Sequence, residues 1–294
     1  MNFTKKVFLV ALSSVLLASC SSNNEPELPK GDYENGIIVA NEGAFSGGTG
    51  TLNFISDDYT TTEEKIYKKV NNENIGTILQ SVGFNGDDMY LIANVGNKIS
   101  VANRYTMSKI TEITVDVNNP RYIAFANGKG YVTNWGDGSD ATDDYVAVVD
   151  LTTNTISSKI SVIEGPEQII AVGNTLYVSH KGGWGSGNSI SVINSSTNTV
   201  VKTIAVGDIP DEMTIDNSGN LLVSCEGKAA TSWNPTEVLG SLVKINTTSN
   251  TVSSTIDFTS GFHPNAMVWA NGNIFLSTSG KVFKMNEASA TIPI

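Results

Sequence analysis

Cysteine and histidine are scarce in this sequence. Its 294 residues include only Cys20 and Cys225, and only His180 and His263. Two cysteines cannot supply the disulfide framework of a small secreted domain. The two histidines have no cysteine or carboxylate at ligand spacing, which argues against a zinc site. No Gly-x-Ser-x-Gly elbow and no phosphate-binding glycine loop occurs. The sequence therefore favours a protein that binds without catalysing a reaction, stabilised by a hydrophobic core.

The one long apolar run lies at the N-terminus. It covers residues 7–17 and follows two lysines, a pattern typical of a secretory signal and too short for a retained membrane span. The run ends in Leu-Ala-Ser-Cys20, which resembles the lipobox of bacterial lipoproteins. In that family the peptidase cuts before the cysteine, whose thiol carries the lipid. We therefore predict a signal peptide over 1–19 and lipidation of Cys20. An ordinary signal with an incidental cysteine is the alternative.

Residues 20–35 form a polar segment punctuated by proline, which predicts a flexible tether. Ser21 stands where inner-membrane lipoproteins carry an aspartate, so the resemblance implies the outer membrane, with the protein facing the cell surface. Without residues 1–19 the chain has 16 basic and 29 acidic residues, a net charge of −13. Such a surface repels nucleic acid and anionic lipid, so the expected contact with the membrane is the lipid anchor alone.

A short β-rich motif recurs along the rest of the chain, as in Met89-Tyr-Leu-Ile-Ala-Asn94. Its second apolar residue recurs after 52, 41, 46, 45 and 53 positions, at Ile38, Tyr90, Tyr131, Tyr177, Leu222 and Phe275. This is the period of a four-stranded propeller blade. No segment shows helical periodicity. We predict an all-β propeller over 36–294.

The number of blades is less clear from the repeat. The first blade has no proline-led inner strand before Gly36, and the sixth is just ending at Ile294. A closed propeller completes its first blade with a strand from the other end of the chain, which leaves no exposed edge. We therefore expect a seven-bladed parent whose last blade is missing from this chain. A six-bladed propeller is the alternative.

The repeat is similar to known families. The segment 188–207 resembles the YVTN-type propeller repeat. Together with the lipobox and the opening Val39-Ala-Asn-Glu-Gly43, it is similar to the BtuG-like surface lipoproteins, which capture corrinoids beside TonB-dependent transporters. The resemblance implies capture of a bulky, corrinoid-like nutrient and its transfer to an outer-membrane transporter. A lyase or lactonase using His180 and Glu226 as base and acid, or an adhesion or scaffold protein, are the alternatives.

The candidate ligand-binding residues lie where two sets of loops emerge on one face of a propeller. Glycine-rich loops bearing single tryptophans suit a ligand, because indole rings bury a large area and glycines allow close approach. The alternative is that each tryptophan packs its own loop. The candidates are Glu42, Phe45, Asn94, Arg121, Trp135, Glu167, His180, Trp184, Asp211, Glu226, Trp233 and His263.

An acidic loop offers a weak metal candidate. Asp137, Asp140, Asp143 and Asp144 could hold Ca²⁺, although their spacing departs from that of an EF-hand. No other cofactor is expected.

Overall fold

The computed structural model describes residues 29–184, 187–232 and 235–286. The predicted signal peptide, Cys20 and Trp233 lie outside the described residues. Within those ranges the chain forms 22 strands and one short helix, arranged as six antiparallel sheets in which neighbouring strands follow chain order. Each sheet is one blade of a propeller, so the predicted all-β propeller is confirmed.

The strands of the blades occupy the following ranges. Blade 1 contains β1 (Gly36–Asn41), β2 (Thr51–Ser56) and β3 (Thr62–Glu63), and is followed by helix α1 (Ile66–Asn71). Blade 2 contains β4 (Leu79–Asn85), β5 (Asp88–Ala93), β6 (Lys98–Asn103) and β7 (Lys109–Ile113). Blade 3 contains β8 (Pro120–Ala126), β9 (Lys129–Asn134), β10 (Tyr145–Asp150) and β11 (Thr155–Ser161).

The remaining three blades continue the same meander. Blade 4 contains β12 (Pro166–Val172), β13 (Thr175–His180), β14 (Ser189–Asn194) and β15 (Thr199–Ala205). Blade 5 contains β16 (Pro210–Ile215), β17 (Leu221–Cys225), β18 (Ser241–Asn246) and β19 (Thr251–Asp257). Blade 6 contains β20 (Ala266–Ala270), β21 (Asn273–Thr278) and β22 (Lys281–Asn286). None of the helical residues in the described ranges forms a segment long and apolar enough to cross a membrane.

The hydrophobic core is divided into five clusters, one between each pair of successive blades. Alternation along the strands produces this division, because successive side chains point to opposite faces of a sheet. In β5, for example, Met89 and Leu91 pack toward blade 1, whereas Tyr90 and Ile92 pack toward blade 3. Cys225 is buried in the cluster between blades 4 and 5, where burial raises the pKa of its thiol to about 12.

The tyrosines of the repeat motif also fasten neighbouring blades together. The hydroxyl of Tyr90 donates to Asn154 Oδ1 at 2.9 Å, and that of Tyr131 donates to Asn198 Oδ1 at 3.0 Å. Both asparagines lie in turns between the third and fourth strands, with φ near +50°, a conformation that asparagine tolerates better than most residues. A tyrosine of one blade thus fixes a turn of the next.

The expectation of a seven-bladed parent is corrected to six blades. It assumed that blade 1 would need another strand to complete its sheet. Instead, β1 to β3 form a three-stranded sheet, and Tyr33 with Ile66 and Tyr67 of α1 cover Leu52 of β2 in its core. Blade 6 is also three-stranded within the described residues. Helix α1 was not predicted because its six residues are too few to show a helical period.

Candidate functional site

Prolines begin the inner strands, which are the first strands of blades 3, 4 and 5. They place charged residues at one end of the propeller's centre, which we call the mouth. Strands β8, β12 and β16 begin with proline, and their pairing with the second strand shifts between the proline and the third residue after it. Such a bulge re-aims the side chains beside it. The residues directly after the three prolines are Arg121, Glu167 and Asp211.

Arg121 and Glu167 form a buried ion pair between blades 3 and 4. The guanidinium donates from Nε to Oε2 at 2.9 Å and from Nη2 to Oε1 at 2.6 Å, the two-pronged geometry that makes such pairs strong. Burial raises the pKa of Glu167, and the charge of Arg121 only partly offsets that rise. The pair is therefore a fixed part of the mouth.

Trp135 lies over Arg121 of this pair, and Trp184 stands against Trp135. The guanidinium carbon of Arg121 is 4.3 Å from the ring centroid of Trp135, close enough for a cation–π contact. The indole N–H of Trp135 donates to the carbonyl of Pro166 at 3.1 Å, which fixes the ring. Trp184 contacts Trp135 edge to face, and its side chain is 88% exposed. We call Trp135 and Trp184 the aromatic pair.

A second group of charges links blades 4 and 5. Lys181 Nζ lies 2.6 Å from Asp211 Oδ2 and 3.0 Å from Glu226 Oε1. Burial opposes the charge of Lys181, but the two carboxylates outweigh it and raise the pKa above its usual range. Burial, and then the hydrogen bond with Asp211, raises the pKa of Glu226 to about 7. Lys181 thus lies between Asp211 and Glu226 and contacts both carboxyl groups.

The inner strands add a further carboxyl group. Gln168 Nε2 donates to Glu212 Oε2 at 2.8 Å. Burial, followed by the charge of Asp211, raises the pKa of Glu212 to about 7. We call Arg121, Glu167, Lys181, Asp211, Glu212 and Glu226 the axial cluster. With every group ionised it holds four carboxylates against two cations, so its surroundings favour a ligand that donates hydrogen bonds or carries positive charge.

The acidic loop borders a narrow cleft beside the aromatic pair. Trp135, Gly183, Glu164 and Asp144 line this cleft together with Asp137, Gly138, Asp140 and Ala141. Burial raises the pKa of Asp144 to about 6.

The loop carboxylates accept hydrogen bonds from backbone amides. Asp143 accepts from the amide of Asp137, Asp140 from Thr142, and Asp144 from Gly165. Within the described ranges, no group of three or more histidine, cysteine, aspartate and glutamate side chains is placed to hold a metal ion. The loop therefore gives no support to calcium binding.

Several predicted residues lie away from the aromatic pair. Glu42 and Phe45 belong to the exposed loop of blade 1. Asn94 is buried, and its amide donates to the carbonyl of Pro120 at 3.3 Å. Nδ1 of His263 lies 2.7 Å from the carbonyl oxygen of Glu226, and its Nε2 lies 3.1 Å from Glu237. The structure thus brings Arg121, Trp135, Glu167, Trp184, Asp211 and Glu226 together, and His263 adjoins them.

His180 occupies a structural position at the end of β13. It is fully buried, with Nε2 2.8 Å from Ser191 Oγ. Burial lowers its pKa to about 4, so the ring is neutral at pH 7. Within the described residues no hydrogen bond joins His180 to Glu226, which contacts Lys181 instead. The acid–base pair suggested for a lyase or lactonase is thus not assembled by these two side chains.

Lys181 and Gln168 were not among the predicted site residues. The repeat could have indicated Lys181. This lysine directly follows the strand motif of blade 4, at the position that Trp135 occupies in blade 3 and Glu226 in blade 5. Aligning the blades at that position would have identified it. No comparable pattern marks Gln168, whose role depends on the bulge in β12.

Residues 35–293 match the profile of a family described as Domain of unknown function (DUF5074). The chain belongs to this family. The match covers the whole propeller, so the DUF5074 domain comprises blades 1 to 6 and the loops that carry the site. No curated protein matches the sequence significantly.

Solved structures resemble this DUF5074 domain in fold. A Bacteroides fragilis protein titled as a 6-phosphogluconolactonase is 10% identical, with a TM-score of 0.63 over 89% of this chain and 80% of that chain. The extracellular domain of a one-component system from B. thetaiotaomicron is 12% identical, with a TM-score of 0.59 over 88% and 36%. Hydrazine synthase of Kuenenia stuttgartiensis is 20% identical, with a TM-score of 0.53 over 70% and 65%. At these identities the likeness supports the propeller fold alone.

Proposed function

We propose that this protein captures a bulky small molecule on the loop face of its propeller, at the aromatic pair and the axial cluster. The observation that carries the proposal is the exposed Trp184, which stands against a Trp135 fixed by Arg121 and Pro166. A large apolar ring exposed to water beside a rigid second ring suits binding of a flat apolar surface.

The charges around the aromatic pair narrow the chemistry of the ligand. The carboxyl groups of Asp137, Asp140, Asp144 and Glu164 line the cleft, and those of Asp211 and Glu226 flank Lys181 in the axial cluster. Carboxylates accept hydrogen bonds and donate none when ionised. The matching ligand has a flat apolar core with amide or ammonium donors at its edge. A corrinoid, which the sequence resemblance suggests, has this combination because amide side chains surround its macrocycle.

The sequence supplies the setting for this capture. We propose that Cys20 is lipidated, that the protein is held at the outer membrane facing the cell surface, and that it passes its ligand to a TonB-dependent transporter. The lipobox and the resemblance to the BtuG-like lipoproteins support these steps. Because Tyr33 packs in the core of blade 1, the proposed tether is the polar segment between Cys20 and Tyr33, which would let the propeller move while anchored.

Tryptophan fluorescence tests the binding proposal. The purified protein is titrated with cobalamin, haem and a ferric siderophore, and emission is corrected for absorption by each ligand. We expect saturable quenching by one of them, with cobalamin favoured, and loss of most of that quenching in Trp184→Ala. The absence of a saturable response to all three would overturn the proposal.

Membrane fractionation tests the anchor separately. In Cys20→Ser the acyl chains cannot attach, and the acidic propeller has no attraction to anionic lipid. We expect this variant to leave the membrane fraction, whereas Cys225→Ser, which changes the buried cysteine, should remain there. Retention of Cys20→Ser in the membrane fraction would refute lipid anchoring without touching the binding proposal.

A further inference from the structure

A cavity of about 70 Å³ lies between blade 1 and helix α1, apart from the aromatic pair. Its apolar wall is formed by Leu52 of β2, Tyr67 of α1 and Ile75 in the segment before β4. All three side chains are almost fully buried. An apolar cavity of roughly 150 Å³ holds benzene, so this one has room for a shorter group of about three or four carbon atoms.

The rim of the cavity is held in place by hydrogen bonds between two loops. The hydroxyl of Thr49 donates to the carbonyl of Gly76 at 2.9 Å, and the amide of Gly50 donates to the same oxygen at 2.8 Å. The phenol of Tyr67 donates to Glu73 at 2.8 Å, which holds the ring of Tyr67 in place. These contacts fix the walls, so the cavity exists before any ligand enters.

Two lysines stand at the rim. Lys65 and Lys68 both line the cavity, and both are exposed. Across the residues the structure describes, neither ammonium group forms a salt bridge, although Lys69 of the same helix pairs with Glu63. The chain as a whole carries 29 acidic residues against 18 basic ones. Two lysines at one rim without a salt bridge create a local attraction for an anion.

We propose that this cavity is a second binding site, specific for a short aliphatic carboxylate or for a ligand side chain that ends in one. The alkyl part enters the space between Leu52, Tyr67 and Ile75. The carboxylate remains at the rim, between the ammonium groups of Lys65 and Lys68. The site lies on blade 1 and uses none of the residues of the aromatic pair or the axial cluster, so it does not depend on the function proposed above.

Amide chemical shifts of the ¹⁵N-labelled protein test this site with sodium butyrate as the probe. We expect saturable shifts at Gly50, Leu52 and Ile75 with a Kd of roughly 1 mM, an affinity ordinary for a ligand of six heavy atoms. Acetate, which fills less of the cavity, should bind more weakly. Octanoate should gain little over butyrate because the cavity holds only a few carbons.

Substitutions of the lysines distinguish binding in this cavity from nonspecific attraction of an anion to the protein surface. Lys65 has φ +54°, so Lys65→Asn suits its backbone, and Lys68→Gln keeps the helix. The double variant should bind butyrate at least about tenfold more weakly, whereas the matched control Lys69→Gln should bind it as the wild type does. If the double variant proves unfolded by its amide spectrum, Lys68→Gln alone provides the test. The proposal would be overturned if the variants at Lys65 and Lys68 bound butyrate as well as Lys69→Gln does. Equal shifts with butylamine and butyrate would also overturn it.

Discussion

The ring of Trp184 meets the ring of Trp135 edge to face, with centroids 6.3 Å apart and planes inclined by 72°. Only one of the two is free to cover a ligand. Trp135 is fixed from below by Arg121 and from the side by Pro166, while Trp184 contacts the loop through one hydrogen bond of 3.3 Å to Gly138. A fixed ring and an exposed ring together form the surface on which the proposed capture depends.

Removing Arg121 should destabilise the protein strongly at neutral pH. Arg121→Met leaves the buried Glu167 carboxylate without its partner, which costs about 3 kcal/mol of unfolding free energy. The cost should be smaller at pH 5 than at pH 8, because protonated Glu167 needs no counter-charge. Urea denaturation at the two pH values measures both effects.

The control for that experiment is an exposed ion pair. Lys159 pairs with Asp116 at 3.0 Å on the surface, where such pairs contribute about 1 kcal/mol or less. Lys159→Met should therefore shift stability only slightly, and equally at both pH values. A cost of Arg121→Met no larger than that of Lys159→Met would contradict the account of the pair.

The stability of the wild type should fall as pH rises from about 6.5 to 8. Glu212 and Glu226 have pKa values raised to about 7 in the folded protein, whereas an unfolded glutamate has lost its proton by pH 6.5. The folded state therefore binds more protons than the unfolded state in this window, and the free energy of unfolding falls as these protons dissociate. The pKa of His180 is lowered, which acts in the opposite direction, but mainly below pH 6.5.

Glu226→Gln should flatten this pH dependence, measured as the free energy of unfolding at intervals of half a pH unit. Glu237→Gln is the matched control. Glu237 accepts from Gly261 and Ser260, which hold its pKa below the usual value, so it stays ionised in both states throughout the window. An unchanged slope in Glu226→Gln would show that Glu226 does not take up a proton in this window.

The tyrosine contacts between blades should contribute to stability and not to binding. Tyr131→Phe removes the hydroxyl that bonds Ser195 and Asn198, at an expected cost of about 1–2 kcal/mol. Tyr59→Phe is the control, since Tyr59 is largely exposed. Thermal unfolding should show a lower midpoint for Tyr131→Phe alone, and equal losses in both variants would argue against the contact.

Much of the fold could be predicted, because the spacing of the repeated motif is that of propeller blades. The marker tyrosines and the prolines located the second and inner strands, and the structure has strands at those places. The number of blades could not be derived in the same way, because it depends on whether a blade can be stable with three strands in place of four. In blade 1 the buried side chains of Ile66 and Tyr67 make that possible, and six residues of helix give no periodic signal.

The candidate site was predictable only in part. Arg121 and Glu167 were found because they follow prolines, but their pairing needed the geometry of neighbouring blades. His180 attracted attention as a rare residue, although the repeat places it where blade 3 has the buried Asn134. A functional role for His180 was suggested only because histidine is a common catalytic residue. Its position in the repeat instead indicates a structural role, and the burial of its side chain agrees with that.

The most direct test of the central claim compares ligand affinity and thermal midpoint in Trp184→Ala and Ile169→Ala. Trp184 is exposed, so its loss should weaken binding about thirtyfold, or about 2 kcal/mol, with the midpoint nearly unchanged. Ile169 is buried between blades 3 and 4, so its truncation should cost about 2–5 kcal/mol of stability and leave affinity intact in the folded protein. The reverse result for Trp184→Ala, a lower midpoint with unchanged affinity, would contradict the assignment of the loop face as the binding site.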